Sequence, residues 1–284
     1  MSSLIGPGFL ALPPRSLKPR SEGLTHVLDK GLSMVGLESL LAAAGDCIDI
    51  IKLGWGTAYV SDGVKAKVRV ARESGVHMCP GGTLLEICDR QGRVGEYARW
   101  LHRLGITHVE VSNGALGMDA DHKRVLIHRL SQEFNVLSEC GSKDPGVDVV
   151  ADAWVQEMAG DLEAGATLLI AEARESGTVG LYDPSGKVRV SLVEALLSEL
   201  PAGRIIFEAP LKDQQAWFVR RLGAVANLGN IPTDEVIALE TLRLGLRSDT
   251  LDLLPQVPRS EQVATPPPRP DAPSHLTHAR PASA

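Results

Sequence analysis

Residues 204–228 read RIIFEAPLKDQQAWFVRRLGAVANL, and this stretch decides the fold class. An apolar, β-branched run at 204–208 ends in Glu208. A turn with Pro210 follows, then an amphipathic helical stretch at 214–222. Gly223 punctuates its end, and a second apolar run is expected to form a strand over 224–228. Strand, helix and strand in about 25 residues is the βα unit of a parallel sheet.

The same alternation extends in both directions. Strands are expected over 24–28, 48–53, 75–79, 108–111, 135–139 and 167–172. Helices are expected over 37–44, 64–73, 92–104, 119–132, 149–164, 192–200 and 233–246. Gly45, Gly75, Gly105, Gly165 and Gly223 each follow a periodic run, where a left-handed cap is anticipated. Eight units in roughly 230 residues match a (β/α)8 TIM barrel. An open doubly wound sheet would normally show G-x-G-x-x-G after its first strand, whereas Asp29-Lys30-Gly31-Leu32 stands there. The reading is therefore α/β, a single-domain barrel over 15–254. Residues 1–14 are read as a flexible N-terminus, and the Pro-rich segment 255–284 as a disordered tail.

Composition narrows the function classes. The 284 residues are 44% hydrophobic and 23% charged, an ordinary globular profile. The net charge of −6 argues against nucleic acid as a bulk partner. No apolar run reaches the ~18–20 residues that span a bilayer, and no export signal opens the chain, so a cytoplasmic location is expected. Cys47, Cys79, Cys88 and Cys140 form no C-x-x-C pair, and the eight histidines lack metal-binding spacing.

Charged residues at the expected strand ends carry the chemistry. Glu110, Glu139, Glu172 and Glu208 each lie near the C-terminal end of a strand, the catalytic face of a barrel. The period of two groups Leu137 with Glu139, Ile170 with Glu172 and Ile206 with Glu208, and these are taken to face inward. Crowded carboxylates need cations, and Lys30, Lys52, Lys143 and Arg174 are the candidates. A structural salt-bridge network is the alternative use of the same charges. Three glycine-bearing turns add candidate phosphate cradles: Gly81 and Gly82, Ser176 and Gly177, and Gly229 and Asn230. Trp55, between Gly54 and Gly56, either caps a ligand or packs under its loop.

Several segments resemble the phosphosulfolactate synthase family: LDKG (28–31), GDCIDIIKLGWGT (45–57), PGGTLLE (80–86), VEVSNG (109–114), DLEAGA (161–166), EARESG (172–177), IFEAPLKDQQAWF (206–218) and NLGNIPTDEVIALETLRLGLRSDT (227–250). Plant heat-stress-associated proteins share the pattern. The resemblance implies a barrel, Mg²⁺ as cofactor, a homo-oligomer (a trimer), and addition of sulfite to phosphoenolpyruvate, which opens coenzyme M biosynthesis in archaea. Lys143 matches the family lysine that looks like the acid protonating C2. Lys52, Arg174 and Lys30 are candidates for substrate carboxylate, phosphate or sulfite. Glu139, Glu172 and Glu208 are candidates for holding Mg²⁺ or orienting the lysines. Asn113, among the candidate binding residues, stands where the family usually has aspartate, and Ser142 where its archaeal members tend to have a second lysine. The alternatives are another lyase or isomerase acting on a phosphorylated acid, or a non-catalytic stress-associated barrel.

Overall fold

Eight parallel strands follow one another around the sheet in the order β3-β2-β1-β8-β7-β6-β5-β4. They are β1 (Thr25–Asp29), β2 (Ile50–Leu53), β3 (His77–Pro80), β4 (His108–Val111), β5 (Asn135–Cys140), β6 (Leu168–Ala171), β7 (Ile205–Glu208) and β8 (Leu228–Pro232). The computed structural model describes residues 8–141 and 149–256, and the barrel unit is Leu12–Leu254. β3 and β4 stand at the two ends of the hydrogen-bonded order. They meet through the tilted rings of His77 and His108, whose centroids are 4.2 Å apart with 31° between their planes, and so nearly close the barrel.

Strand parity sorts the core into two. Ile50, Cys79, Leu137, Ile170 and Ile206 are buried together as a plug inside the barrel. Their neighbours Ile51, Val136, Leu169, Ile205 and Phe207 belong to the larger core under the helices. Both faces of β2, β5, β6 and β7 are thus apolar below the mouth, as a helix-wrapped parallel sheet requires. Each buried Leu, Ile or Phe side chain contributes about 1.5–3 kcal/mol. Glu139, Glu172 and Glu208 lie two residues beyond Leu137, Ile170 and Ile206, so they share the inward parity one layer higher.

The helices are α1 (Met34–Ala44), a short α2 (Thr57–Val60), α3 (Val64–Glu73), α4 (Gly82–Arg90), α5 (Val94–Leu104), α6 (Ala120–Ser131), α7 (Ala151–Glu163), α8 (Val190–Glu199), α9 (Lys212–Leu222) and α10 (Val236–Arg243). Ser33 caps α1 by accepting the Gly36 N–H, and Asp119 caps α6 by accepting that of His122. At the N-terminal end of the strands, the buried Arg243 guanidinium donates to the carbonyls of Gly23, Leu24 and Ala226, tying β1 to the approach of β8.

Three local expectations are corrected. The eighth strand starts at Leu228, where it was expected to end, and 223–225 form a 3-10 turn. Asn227 sets that start: its side chain accepts the Leu24 N–H and donates to the carbonyls of Gly203 and Ile205. Gly229 and Asn230 are therefore strand residues, not a loop beyond it. Residues 82–90 form a helix, α4, where only a turn was expected. Gly45 caps α1 with right-handed φ −54°, because a 3-10 turn continues directly from the helix.

Candidate active site

The C-terminal ends of the strands enclose a cavity of about 320 Å³. Its walls include Lys52, Trp55, Gly81, Gly82, Glu110, Glu139, Glu172, Arg174, Glu208 and Asn230. Three of these, Trp55, Arg174 and Asn230, have left-handed φ values of 51°, 55° and 52°. They are the non-glycine residues with positive φ among the described residues. Such a backbone costs of order 1–3 kcal/mol at non-glycine positions, so its concentration around one cavity marks a site whose geometry is imposed by its surroundings.

Lys52 is the hub. From the end of β2 its ammonium lies 3.0 Å from Glu110, 3.2 Å from Glu139 and 3.5 Å from Glu208. Burial by itself would drive this lysine toward the neutral amine. The three carboxylates outweigh it and hold the pKa well above the ordinary lysine value. Lys52 is therefore a fixed cation at neutral pH, suited to holding anionic oxygens and unsuited to releasing a proton.

Each carboxylate is oriented from behind. Glu110 Oε2 accepts the Gly82 N–H at 2.9 Å, and Glu208 Oε2 accepts the Ala173 N–H at 2.8 Å. The β5 backbone at Glu139 is braced by the buried Lys123, whose ammonium donates to the Glu139 carbonyl at 2.8 Å. Lys123 also pairs with Glu157 and Asp161 of α7, each at 2.8 Å. Burial pushes the Glu110 carboxyl up to about 7, assisted by the like charge of Glu139 and opposed by Lys52. His26 on β1, fully buried beside Glu110, is pushed down to about 3 by burial and by Lys52, so its imidazole is neutral.

Residues 13–249 match the family of (2R)-phospho-3-sulfolactate synthases. A phosphosulfolactate synthase from Methanothermobacter thermautotrophicus is 45% identical over 245 residues, covering 84% of this chain and 95% of that protein. One from Bacillus subtilis is 41% identical over 247 residues, covering 86% and 98%. The chain belongs to the phosphosulfolactate synthase family. It is accordingly an enzyme of the class that forms carbon–sulfur bonds as lyases. Among solved structures, 3-hexulose-6-phosphate synthase from Salmonella typhimurium superposes with a TM-score of 0.53 at 15% identity, covering 79% of this chain and all of that one. At that identity the likeness shows the barrel alone.

The site candidates read from the sequence separate into three groups. Lys52, Glu139, Glu172, Glu208, Arg174, Gly81, Gly82 and Asn230 converge on the cavity. Lys30, Asn113, Ser176, Gly177 and Gly229 do not line it. Asp29 accepts the N–H groups of Gly31 and Leu32, and Lys30, half exposed, pairs with Glu175 at 2.7 Å. Asn113 donates to Glu157 at 3.1 Å, outside the cavity. Ser176 is exposed, while the Gly177 carbonyl accepts from Gln214 at 2.8 Å. Gly229 faces into the barrel below the mouth, where a Cβ would press on Ile206 and His26. Lys143 lies outside the described residues, as does Ser142.

The cradle expectation at Gly81 and Gly82 also changes. The N-terminus of α4 does point into the cavity, but the Gly82 N–H is taken by the Glu110 carboxylate rather than left for a phosphate. In this phosphosulfolactate synthase family member the helix end thus steadies an acidic side chain. His26 and Lys123 were missed at the sequence level. A histidine two residues before Leu28, on the inward parity of β1, was the available signal for the first. Lys123 falls on the buried stripe of α6 with Leu126, Ile127 and Leu130, so its helical spacing was the available signal for the second.

Proposed function

We propose that the enzyme adds sulfite to phosphoenolpyruvate, giving (2R)-phospho-3-sulfolactate, with Mg²⁺ at the mouth of the barrel. The observation that carries this reading is the fixed cation Lys52 set among carboxylates in a cavity with Arg174, within a chain of this family. The sulfite sulfur attacks the methylene carbon C3, a C–S bond forms, and the C2=C3 π electrons move toward the carboxylate as an enediolate. A proton then adds at C2, and the phosphate ester is retained, so no group leaves.

The residues divide that work by their charge. Lys52 faces the carboxylate oxygens on which negative charge grows, and its burial makes that contact stronger in the transition state than it would be in water. Arg174, at the rim, offers a forked donor suited to phosphate or sulfite oxygens. Lys52 cannot supply the C2 proton because its carboxylate neighbours hold that proton. The acid is Lys143, as the family pattern implies, on the segment that follows β5.

The donor set fits Mg²⁺. Glu110, Glu139, Glu172, Glu175 and Glu208 share the lining with only Lys52 and Arg174 as cations among the described lining residues, and all are hard oxygen donors. Glu139, Glu172 and Glu208 would hold the ion. When bound it supplies Lewis-acid stabilisation to the developing enediolate charge. We further assign the enzyme to the cytoplasm as a homo-oligomer, a trimer by family resemblance. Among the described residues no helix is long and apolar enough to cross a membrane.

The test is consumption of phosphoenolpyruvate by purified protein with and without sulfite and Mg²⁺. Loss only when all are present, abolished in Lys143→Ala, supports the assignment. Absence of turnover across a broad sulfite range removes it.

A further inference from the structure

Below the cavity, two buried polar atoms face each other without another hydrogen-bond partner among the described residues. They are His26 Nε2 and Glu110 Oε1, 3.6 Å apart. The other ring nitrogen, Nδ1, lies 3.5 Å from the backbone N–H of Asn230, which places it as an acceptor. A neutral imidazole carries one proton, and with Nδ1 accepting, that proton belongs on Nε2. Nε2–H is then the donor beside Glu110 Oε1, and the second oxygen of Glu110 lies 3.0 Å from Lys52. Room for this ring depends on Gly229, since a Cβ there would come within 3.2 Å of Nδ1.

We propose that His26 is a positioning residue: as the Nε2–H tautomer it fixes the Glu110 carboxylate in the orientation that presents Lys52 to the substrate oxygens. The chain of contacts runs from Asn230, itself on the cavity wall, through His26 and Glu110 to Lys52. Both links at the imidazole are long, 3.5 and 3.6 Å, and contacts of this kind commonly tighten when substrate binds. The inference rests on the role given to Lys52 above.

A metal ion is the competing occupant of this spot. Ligand atoms of His26, Cys79 and Glu110 all lie within 4.8 Å of one another. Two observations disfavour it. The Nε2 lone pair a metal would need is replaced by the ring proton once Nδ1 accepts from Asn230. The Cys79 thiol, fully buried with its pKa raised well above the ordinary value by burial and by Glu110, resists becoming the thiolate that a metal binds.

Steady-state kinetics of the full-length His26→Leu and His26→Gln variants test the proposal, because the glutamine amide N–H can stand near the Nε2 position. The expected result is a kcat reduced ~10–100-fold in His26→Leu, the size usual for loss of an outer-shell partner. KM for phosphoenolpyruvate should change by less than ~3-fold, and His26→Gln should recover kcat to within ~3-fold of the parent. Equal impairment of both variants, or an unchanged kcat in His26→Leu, overturns it.

Should His26→Leu fail to fold, ¹⁵N-histidine NMR of the unmodified enzyme decides the matter. A neutral Nε2–H tautomer supports the proposal, and an Nδ1–H tautomer or an imidazolium at pH 7 overturns it. Stoichiometric zinc in the purified protein that disappears in His26→Gln overturns it as well. Because the tautomer is read without turnover, His26 is judged even if sulfite addition itself is not observed.

Discussion

Lys52 on β2 reaches past β3 to place its ammonium 3.0 Å from Glu110 on β4. The same atom spans the barrel to Glu139 on β5 and Glu208 on β7, so one side chain ties together four of the eight strands. Removing a single partner from such a buried cluster leaves uncompensated charge, which is costly in a way that a surface pair is not.

Lys52→Met is therefore expected to lose roughly 10²–10³-fold in kcat/KM, the usual cost of removing a transition-state charge partner. It should also destabilise the fold by about 3–5 kcal/mol. The loss should deepen as pH rises. Without Lys52 the buried carboxyls hold protons in the folded state that the unfolded chain releases near pH 4.5, so each step upward in pH favours unfolding. Urea unfolding of parent and variant at pH 5.5 and pH 8 reads both the magnitude and the sign; a pH-independent gap contradicts the expectation.

His26 and Glu110 act oppositely on the pH profile of stability. The folded His26 titrates near 3 against an ordinary 6.5, so between those values the unfolded state binds more protons and acidification destabilises the fold. The folded Glu110 titrates near 7 against an ordinary 4.5, so across that window its contribution falls as pH rises. Replacing histidine isolates the first effect. His26→Gln should lose less stability than the parent between pH 6.5 and pH 4, the difference being on the order of 3 kcal/mol. Denaturant midpoints at the two pH values provide the check.

Gly82 lies against Ser112, and a Cβ there would come within 2.7 Å of the Ser112 Cβ and closer still to its Oγ. Gly82→Ala should push the start of α4 away from β4 and with it the N–H that Glu110 accepts. We expect about 1–3 kcal/mol of destabilisation from overpacking, together with a drop in kcat. Thermal unfolding and turnover measured on the same preparation test the linkage; a variant that loses stability but keeps its full kcat would dissociate the two.

Arg174 sits at left-handed φ 55° with an exposed side chain on the cavity rim. Arg174→Gly should relieve the backbone and match or exceed the stability of Arg174→Ala by about 1 kcal/mol, since glycine alone adopts that conformation without cost. Both variants should raise KM for the anionic substrates by about tenfold or more. Comparing Tm between the two variants and KM of each against the parent separates strain from binding.

The βα alternation was legible along the chain because strand and helix leave different periods in the order of apolar residues, and each unit here is locally complete. The glutamates at strand ends stood out for the same reason: a charge at the end of a run buried on both faces has no solvent to turn to. The family is legible in the same order of residues, because its matched segments run through nearly the whole barrel. The start of β8 was misplaced because 224–226 satisfies the strand pattern, while Asn227, acting through carbonyls of a different segment, decides where pairing begins.

Which charges meet was decided only by the closed barrel. Lys30 and Lys52 both follow or end a strand, yet Asp29 turns the first outward and parity sends the second into the lumen. His26, Gly229 and Glu110 are distant in sequence, and only closure of β1 against β8, with β4 across from them, brings an imidazole, a missing side chain and a carboxylate into contact. Local order is written in short-range periodicity, whereas a site built from several strands depends on long-range register, which no short stretch of sequence encodes.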